Sequence, residues 1–275
     1  MGIAKWFGRG LQNALGTIWA VVVVLPIYYM VLSSFRSQGQ YYADNPLTPK
    51  IPPNMQGYEL VVKNNIAMYF GNSIFVTLAT VAVLLVVTIM ASYVITRGST
   101  VASKRIFSLI LLGLAIPGQA TIVPLYYLIN VLRLYDNLWA LILPGVAFAI
   151  PITVLILVNF MRDIPRELFE SMRLDGVSEM WILVRLVLPL ARPAIVTVAI
   201  YDALQVWNSY LFPLVLTQSK DKQTLPLSLA TYSTEHGANV PAVLAAVILS
   251  ALPMLAAYIV GRRQLIAGLT AGFGK

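Results

Sequence analysis

The chain has 275 residues, of which 59% are apolar and 11% charged, with a formal net charge of +8 and a mean hydropathy of +0.78. Soluble globular domains carry about 25% charged residues, and no fold of this size buries so much apolar surface internally, so composition excludes a soluble protein. The absence of cysteine excludes disulfides, iron–sulfur clusters and thiolate chemistry.

Crossing a hydrocarbon core of roughly 30 Å takes about 20 helical residues. Six apolar runs of that length predict transmembrane helices, at about 14–35, 72–96, 106–131, 137–161, 194–217 and 241–261. The first contains Pro26 and follows Lys5 and Arg9, as a signal peptide would. Its length and the lack of a small-x-small cleavage site predict a retained helix. Arg36 to Gly71, with Pro46, Pro49, Pro52 and Pro53, reads as an outer loop with little helical promise. The third run holds Pro117-Gly118-Gln119 and Pro124, and such breaks survive in lipid only where other helices or a cavity satisfy the freed backbone. A second outer loop, about 218–240, carries Lys220, Asp221, Lys222, Glu235 and His236, with a short apolar piece at Leu225 to Leu229. It reads equally as a docking element and as a solvated connector.

Orientation follows from Lys and Arg. One side holds Lys5, Arg9, Arg97, Lys104, Arg105, Arg162, Arg166, Arg173, Arg185, Arg192, Arg262, Arg263 and Lys275, which are 13 of the 19 basic residues. The positive-inside bias predicts that this side, with both termini, is cytoplasmic. Most of the net charge is thereby explained by topology. Nucleic acid is not expected as a partner, and membrane lipid is.

A polar island at about 162–192 separates the fourth and fifth spans. Pro165 suits a first helical turn, Glu167 and Glu170 suit the positive end of that helix and Arg173 its negative end, and Gly176 can stop it with a positive φ. This predicts a helix of about 11 residues, roughly 16 Å long, with Leu168, Phe169 and Met172 on one face. Ser178 can cap a second helix, which Pro189 and Pro193 break or kink where it meets the membrane. Five basic and five acidic residues cancel within the island, a balance that suits a protein interface better than a lipid headgroup anchor. A hairpin that merely links two spans is the competing reading.

Asp202 lies near the middle of the fifth span, where an ionisable side chain costs at least about 2.5 kcal/mol. Gln205 and Asn208 fall on roughly its side, and Trp207 and Tyr210 offer rings for stacking. Gln119, Tyr126, Tyr127 and Asn130 in the third span are candidates for the same cavity. Two readings of Asp202 stand side by side: it lines a path, or it hydrogen-bonds between helices or to a partner chain.

The spacing Glu170-Ser171-Met172-x3-Gly176-x9-Leu186-x-Leu188-Pro189 resembles the cytoplasmic EAA loop of permease subunits of bacterial ABC importers, with Ser171 and Met172 in place of two alanines and Leu186 in place of isoleucine. Asn72-Ser73, Ile116-Pro117, Pro124-Leu125, Trp139-Ala-Leu-Ile-Leu-Pro144, Trp207-Asn208, Pro213 and Gly268-Leu269-Thr270-Ala271-Gly272 are similar to the MalG-type subunit of carbohydrate importers, in the same order along most of the chain. This resemblance implies an all-α polytopic membrane protein, a single permease domain over 1–275, with six transmembrane helices and a cytoplasmic coupling helix hairpin. It implies four kinds of neighbour: a second, MalF-like permease, two ATPase subunits, an extracytoplasmic sugar-binding protein and the lipid of a bacterial inner membrane. ATP and Mg would sit on the ATPase subunits, and this chain would bind no cofactor or metal. The chain has no G-x-x-x-x-G-K-[ST] phosphate loop. Glu170, Ser171, Met172, Asp175, Gly176, Leu168, Phe169, Leu188 and Pro189 would make the ATPase coupling, by helix-in-groove recognition. Gln264, Gly268 and Thr270 in the C-terminal tail would form a secondary contact. Asp202, Gln205, Trp207, Asn208, Tyr126 and Asn130 are the candidates for the translocation path.

Two other classes compete. A secondary transporter or channel without an ATPase would place paired charges in several spans, whereas Asp202 is the clear intramembrane ionisable group here. An intramembrane enzyme lacks its parts, because the single histidine, His236, falls in an outer loop. The sugar is not legible, and a polyol or glycerol-phosphate cargo stays open within the same group.

Overall fold

A computed structural model describes the backbone of residues 2–98, 100–234 and 237–273; the side chains of 1–11, 99, 233–236, 260 and 263–275 fall outside the described residues. Lys5, Arg9, His236, Arg263 and Lys275, and the expected tail contacts Gln264, Gly268 and Thr270, lie in that undescribed set. In chain order the helices are α1 (Gly2–Ser34), α2 (Gln38–Ala43), α3 (Gln56–Lys63), α4 (Ile66–Arg97), α5 (Val101–Leu112), α6 (Ile122–Val131) and α7 (Trp139–Arg162). They continue as α8 (Arg166–Leu174), α9 (Glu179–Ile182), α10 (Leu188–Trp207), α11 (Leu211–Leu216), α12 (Leu225–Ser228) and α13 (Val240–Phe273). A two-residue antiparallel pair, β1 (Ser233–Thr234) with β2 (Gly237–Ala238), precedes α13.

Among the described residues, five stretches are long and apolar enough to cross a membrane: Gln12–Ser34, Ile66–Arg97, Trp139–Arg162, Glu179–Trp207 and Val240–Ile259. The third expected span is instead two pieces, Val101–Ala115 and Gly118–Val131, bent by 89°. Pro117 causes the break. A proline disfavours helical backbone in the residue before it, and Ile116 is extended at φ −88, ψ 110.

The chain divides into two compact units, residues 1–67 with 228–252 and residues 68–227 with 253–275. In the first unit every residue from Gln12 to Tyr28 is exposed, so this apolar helix surface is left for lipid or another subunit. The proline-rich segment after α1 is not the featureless loop that its composition suggests. Ser37 and Gln40 form a capping box that starts α2, and Arg36, buried, donates to the carbonyls of Asn45 (2.5 Å) and Thr48 (2.7 Å). The Gln38 amide donates to Ala238 O at 2.8 Å and accepts from Val240 N at 3.1 Å. A core of Val61, Tyr232, Ala242, Ala245 and Ala246 then holds α3 against the start of α13.

The second unit contains the candidate site. Its larger core joins α4, α7, the hairpin and α10 through Tyr93, Leu157, Met161, Phe169, Ile182, Val187, Ala191, Ala194 and Val198. Ala191, Ala194 and Val198 recur at i, i+3 and i+7, and the two alanines are small enough to let apolar helices approach closely where lipid supplies no hydrophobic drive. A second core of Val76, Leu84, Ile129, Ala140, Ile142, Val146 and Leu216 packs α4, α6, α7 and α11 together.

The helix that carries the fifth expected span differs from expectation at both ends. It begins at Glu179, upstream of the expected span, because Pro189 does not break it: a π-helical turn over Leu183–Val187, closed by Leu188 N to Leu183 O, absorbs the missing proline donor. It ends at Trp207 rather than near 217. The Pro213 ring would clash with the Ser209 carbonyl in a continuous helix, and the chain restarts as α11 at Leu211.

Candidate functional site

The polar island folds as the hairpin α8–α9. Gly176, at φ +76, makes the turn in a left-handed conformation that side-chain-bearing residues adopt only at a cost. Four details depart from expectation. Helix α8 has nine residues; Pro165 is its N-cap rather than its first turn; Ser178 occupies the N-cap of α9 without a side-chain cap bond; and Pro189 lies within a continuous helix.

The largest correction concerns Phe169. The three residues expected on one outward face separate: Leu168 is exposed, Met172 is half-buried and Phe169 is 1% exposed. Phe169 lies inside its own chain because its ring sits under the Arg97 guanidinium, 3.4 Å from Cζ to ring centroid. Arg97 Nη2 also donates to Met161 O at 3.0 Å, so α4, α7 and α8 meet at this point. Glu170, Ser171, Asp175 and Gly176 are exposed, as are Leu174, Met180, Trp181 and Val184. Leu188 is half-buried and Pro189 exposed.

A second tie holds the hairpin from its other arm. Glu179 accepts from Tyr93 OH on α4 at 2.5 Å and from Arg173 Nε on α8 at 2.7 Å. That hydrogen bond raises the Arg173 pKa above its ordinary value. Sequence reasoning missed these ties because Glu179 lies 86 residues beyond Tyr93, and Phe169 is similarly remote from Arg97, so no helical period connects the partners although Tyr93 and Arg97 share one turn of α4.

About six turns of helix along from Glu179, α10 borders a cavity of about 430 Å³. Asp202, 2% exposed, lines it and accepts from Thr153 Oγ1 of α7 at 2.9 Å. Gln205 lines it one turn further on. The other expected path residues do not. Trp207 is buried edge-on against Phe70, with ring centroids 5.7 Å apart; Asn208 caps α10 and donates to Leu204 O at 2.8 Å. Asn130 donates to Tyr126 O at 2.8 Å, and Tyr126 packs against Tyr135. Neither of these two borders the cavity, nor do Gln119, Tyr127 and Tyr210. The bend at Pro117 turns α6 away from the line of α5 and with it Tyr126, Tyr127 and Asn130. Tyr201, Ser209, Thr224 and the stacked rings of Phe148 and Phe212, 5.5 Å apart, take their place.

The loop before α7 is tied across to the end of α11. The Asp136 carboxylate, on a residue at φ +60, accepts from the backbone of Gln218 (2.8 Å) and Ser219 (2.9 Å) and from the Ser219 hydroxyl. Those donors hold its pKa below the usual carboxylate range.

These features coincide with known proteins. The chain is 31% identical over 258 residues to the arabinooligosaccharides transport system permease protein AraQ of Halalkalibacterium halodurans, covering 92% of this chain and 91% of that one. It is 29% identical over 265 residues to the diacetylchitobiose uptake system permease protein NgcG of Streptomyces coelicolor, covering 95% and 87%. The fold matches a chain in the crystal structure of a bacterial ABC transporter involved in the import of the acidic polysaccharide alginate, with a TM-score of 0.85 and 21% identity over 96% of this chain and 98% of that one. A family model described as the inner membrane component of binding-protein-dependent transport systems matches residues 86–264, which contain the hairpin, α10 and most of the cavity wall. With that match over more than half of its length, the chain belongs to the binding-protein-dependent transport system inner membrane component family, as a multi-pass transport subunit.

Proposed function

We propose that this chain is one of two permease subunits of an ATP-driven importer for a di- or oligosaccharide, acting over residues 1–275 as one permease domain. It would form the path with a second, MalF-like permease and receive sugar from an extracytoplasmic binding protein. Residues 162–192 would engage one of two ATPase subunits, which hold the ATP and Mg, in an inner membrane with both termini cytoplasmic. The family assignment and the sugar-related names of AraQ and NgcG support this reading.

The observation that carries it is mechanical. From Glu179 to Trp207 the chain is one continuous helical element, anchored at one end in the exposed hairpin and bordering the cavity through Asp202 and Gln205 at the other. A rigid movement imposed on the hairpin is therefore delivered to the cavity wall without an intervening loop. Glu170 and the exposed Leu168 and Leu174 would form the outward contact, and Phe169 the inward anchor.

Purification of the tagged chain from its native membrane tests the reading. The expected result is co-purification of an ATPase and a second permease, with sugar uptake into proteoliposomes that requires ATP and the binding protein. A chain that purifies alone and carries solute without ATP is a secondary carrier, and the proposal fails.

A further inference from the structure

The cavity has a composition that bears on what can pass. Its 430 Å³ lies within the roughly 300–1,000 Å³ of small-molecule sites. Among its described lining residues Asp202 is the one acidic group, and no Lys or Arg borders it. Its walls are otherwise apolar or neutral, including the Phe148–Phe212 stack. Apolar walls of low dielectric focus the field of a charge that they enclose, so a lone carboxylate here dominates the local potential.

A second observation points to a polar ligand. Thr224 lines the same cavity on a residue 5% exposed, and its buried hydroxyl Oγ1 has no hydrogen-bond partner. An unmade bond at a buried hydroxyl is unfavourable, and a solute hydroxyl would complete it. Gln205 adds an amide that both donates and accepts.

We infer that Asp202, set beside Thr224 and Gln205 in this cavity, is a charge filter that admits uncharged or cationic polyhydroxyl solutes and rejects anionic ones. The substrate class is then a neutral or amino sugar rather than a uronate or a sugar phosphate. This rests on the importer reading, and it narrows the cargo that the reading leaves open.

The absence of native cysteine makes a direct test available. Ser209→Cys, on the cavity wall, is labelled in the assembled complex with methanethiosulfonate reagents bearing a trimethylammonium or a sulfonate group. The ratio of cationic to anionic rates is compared with that of a small thiol in solution. The expected ratio exceeds the solution value by about tenfold or more, since one unscreened charge at close range in a medium of intermediate dielectric acts on that scale. Asp202→Asn in the same background should return it to the solution value. A ratio equal to that of the free thiol overturns the proposal even if Asp202→Asn fails to assemble, and so does an excess that survives Asp202→Asn. No reaction with either reagent overturns it too, because the cavity then does not open to solute. Failure of the importer reading is scored separately, by the loss of ATPase co-purification.

Discussion

Arg97 at the end of α4 covers the ring of Phe169 in α8, with 3.4 Å between the guanidinium carbon and the ring centroid. The contact turns one apolar residue of the hairpin inward and leaves Glu170, its neighbour, exposed. Anchoring and partner contact therefore belong to adjacent residues, and substitution can separate them.

Phe169→Ala should destabilise the second unit by roughly 3–5 kcal/mol, the range for truncating a buried aromatic ring. The expected readout is a lower unfolding temperature in detergent, with ATPase stimulation lost in proportion. Phe169→Leu, which keeps most of the volume, should retain most of both. Unchanged stability in Phe169→Ala would show that the hairpin is not held by this ring.

Glu170→Ala and Gly176→Val should act without that loss of core packing. Glu170 is exposed, so its replacement leaves the core intact, whereas Gly176→Val forces a branched residue to φ +76 at about 1–2 kcal/mol. Both variants should insert into the membrane normally and lose sugar-stimulated ATPase activity and transport. Normal transport in both would sink the coupling role of the hairpin.

Glu179 has two partners of unequal worth. Arg173 and Glu179 have side chains 46% and 56% exposed, and exposed ion pairs contribute about 0–1 kcal/mol, so Arg173→Ala should be nearly silent. Tyr93 is 8% exposed, and a hydroxyl bonded to a carboxylate is worth more, about 1 kcal/mol here after allowing for the exposed side of Glu179. Tyr93→Phe should be the more destabilising change, and a double-mutant cycle with Glu179→Gln should recover that coupling. Additivity in the cycle would remove the tie between α4 and α9.

Acid should loosen the loop held by Asp136. Its folded pKa is depressed by the Ser219 hydroxyl and the Gln218 and Ser219 amides, so its contribution is fully present above the unfolded carboxylate value. It is lost as pH falls through the lower folded value. Hydrogen exchange at the Gln218 and Ser219 amides should rise across that acid window, after correction for intrinsic rates, and Asp136→Asn should flatten the rise while tolerating the left-handed backbone. Equal pH dependence in both proteins would contradict the assignment.

Much of this molecule is legible from its residues. Runs of apolar residues mark where the chain crosses lipid, the proline after Ile116 marks the break in the third crossing, and Gly176 marks the hairpin turn, because each depends on local backbone or bulk hydropathy. The direction in which an apolar helix faces is a different matter. Hydropathy does not distinguish Phe169, turned inward under Arg97, from Leu168 beside it, because both are large apolar side chains at adjacent positions of α8. It likewise leaves open whether Pro189 breaks α10 or is absorbed by a π turn. Only the tertiary structure brings Thr153 to Asp202 and Phe148 to Phe212 across separate helices, and so decides which polar residues of the apolar spans share one cavity.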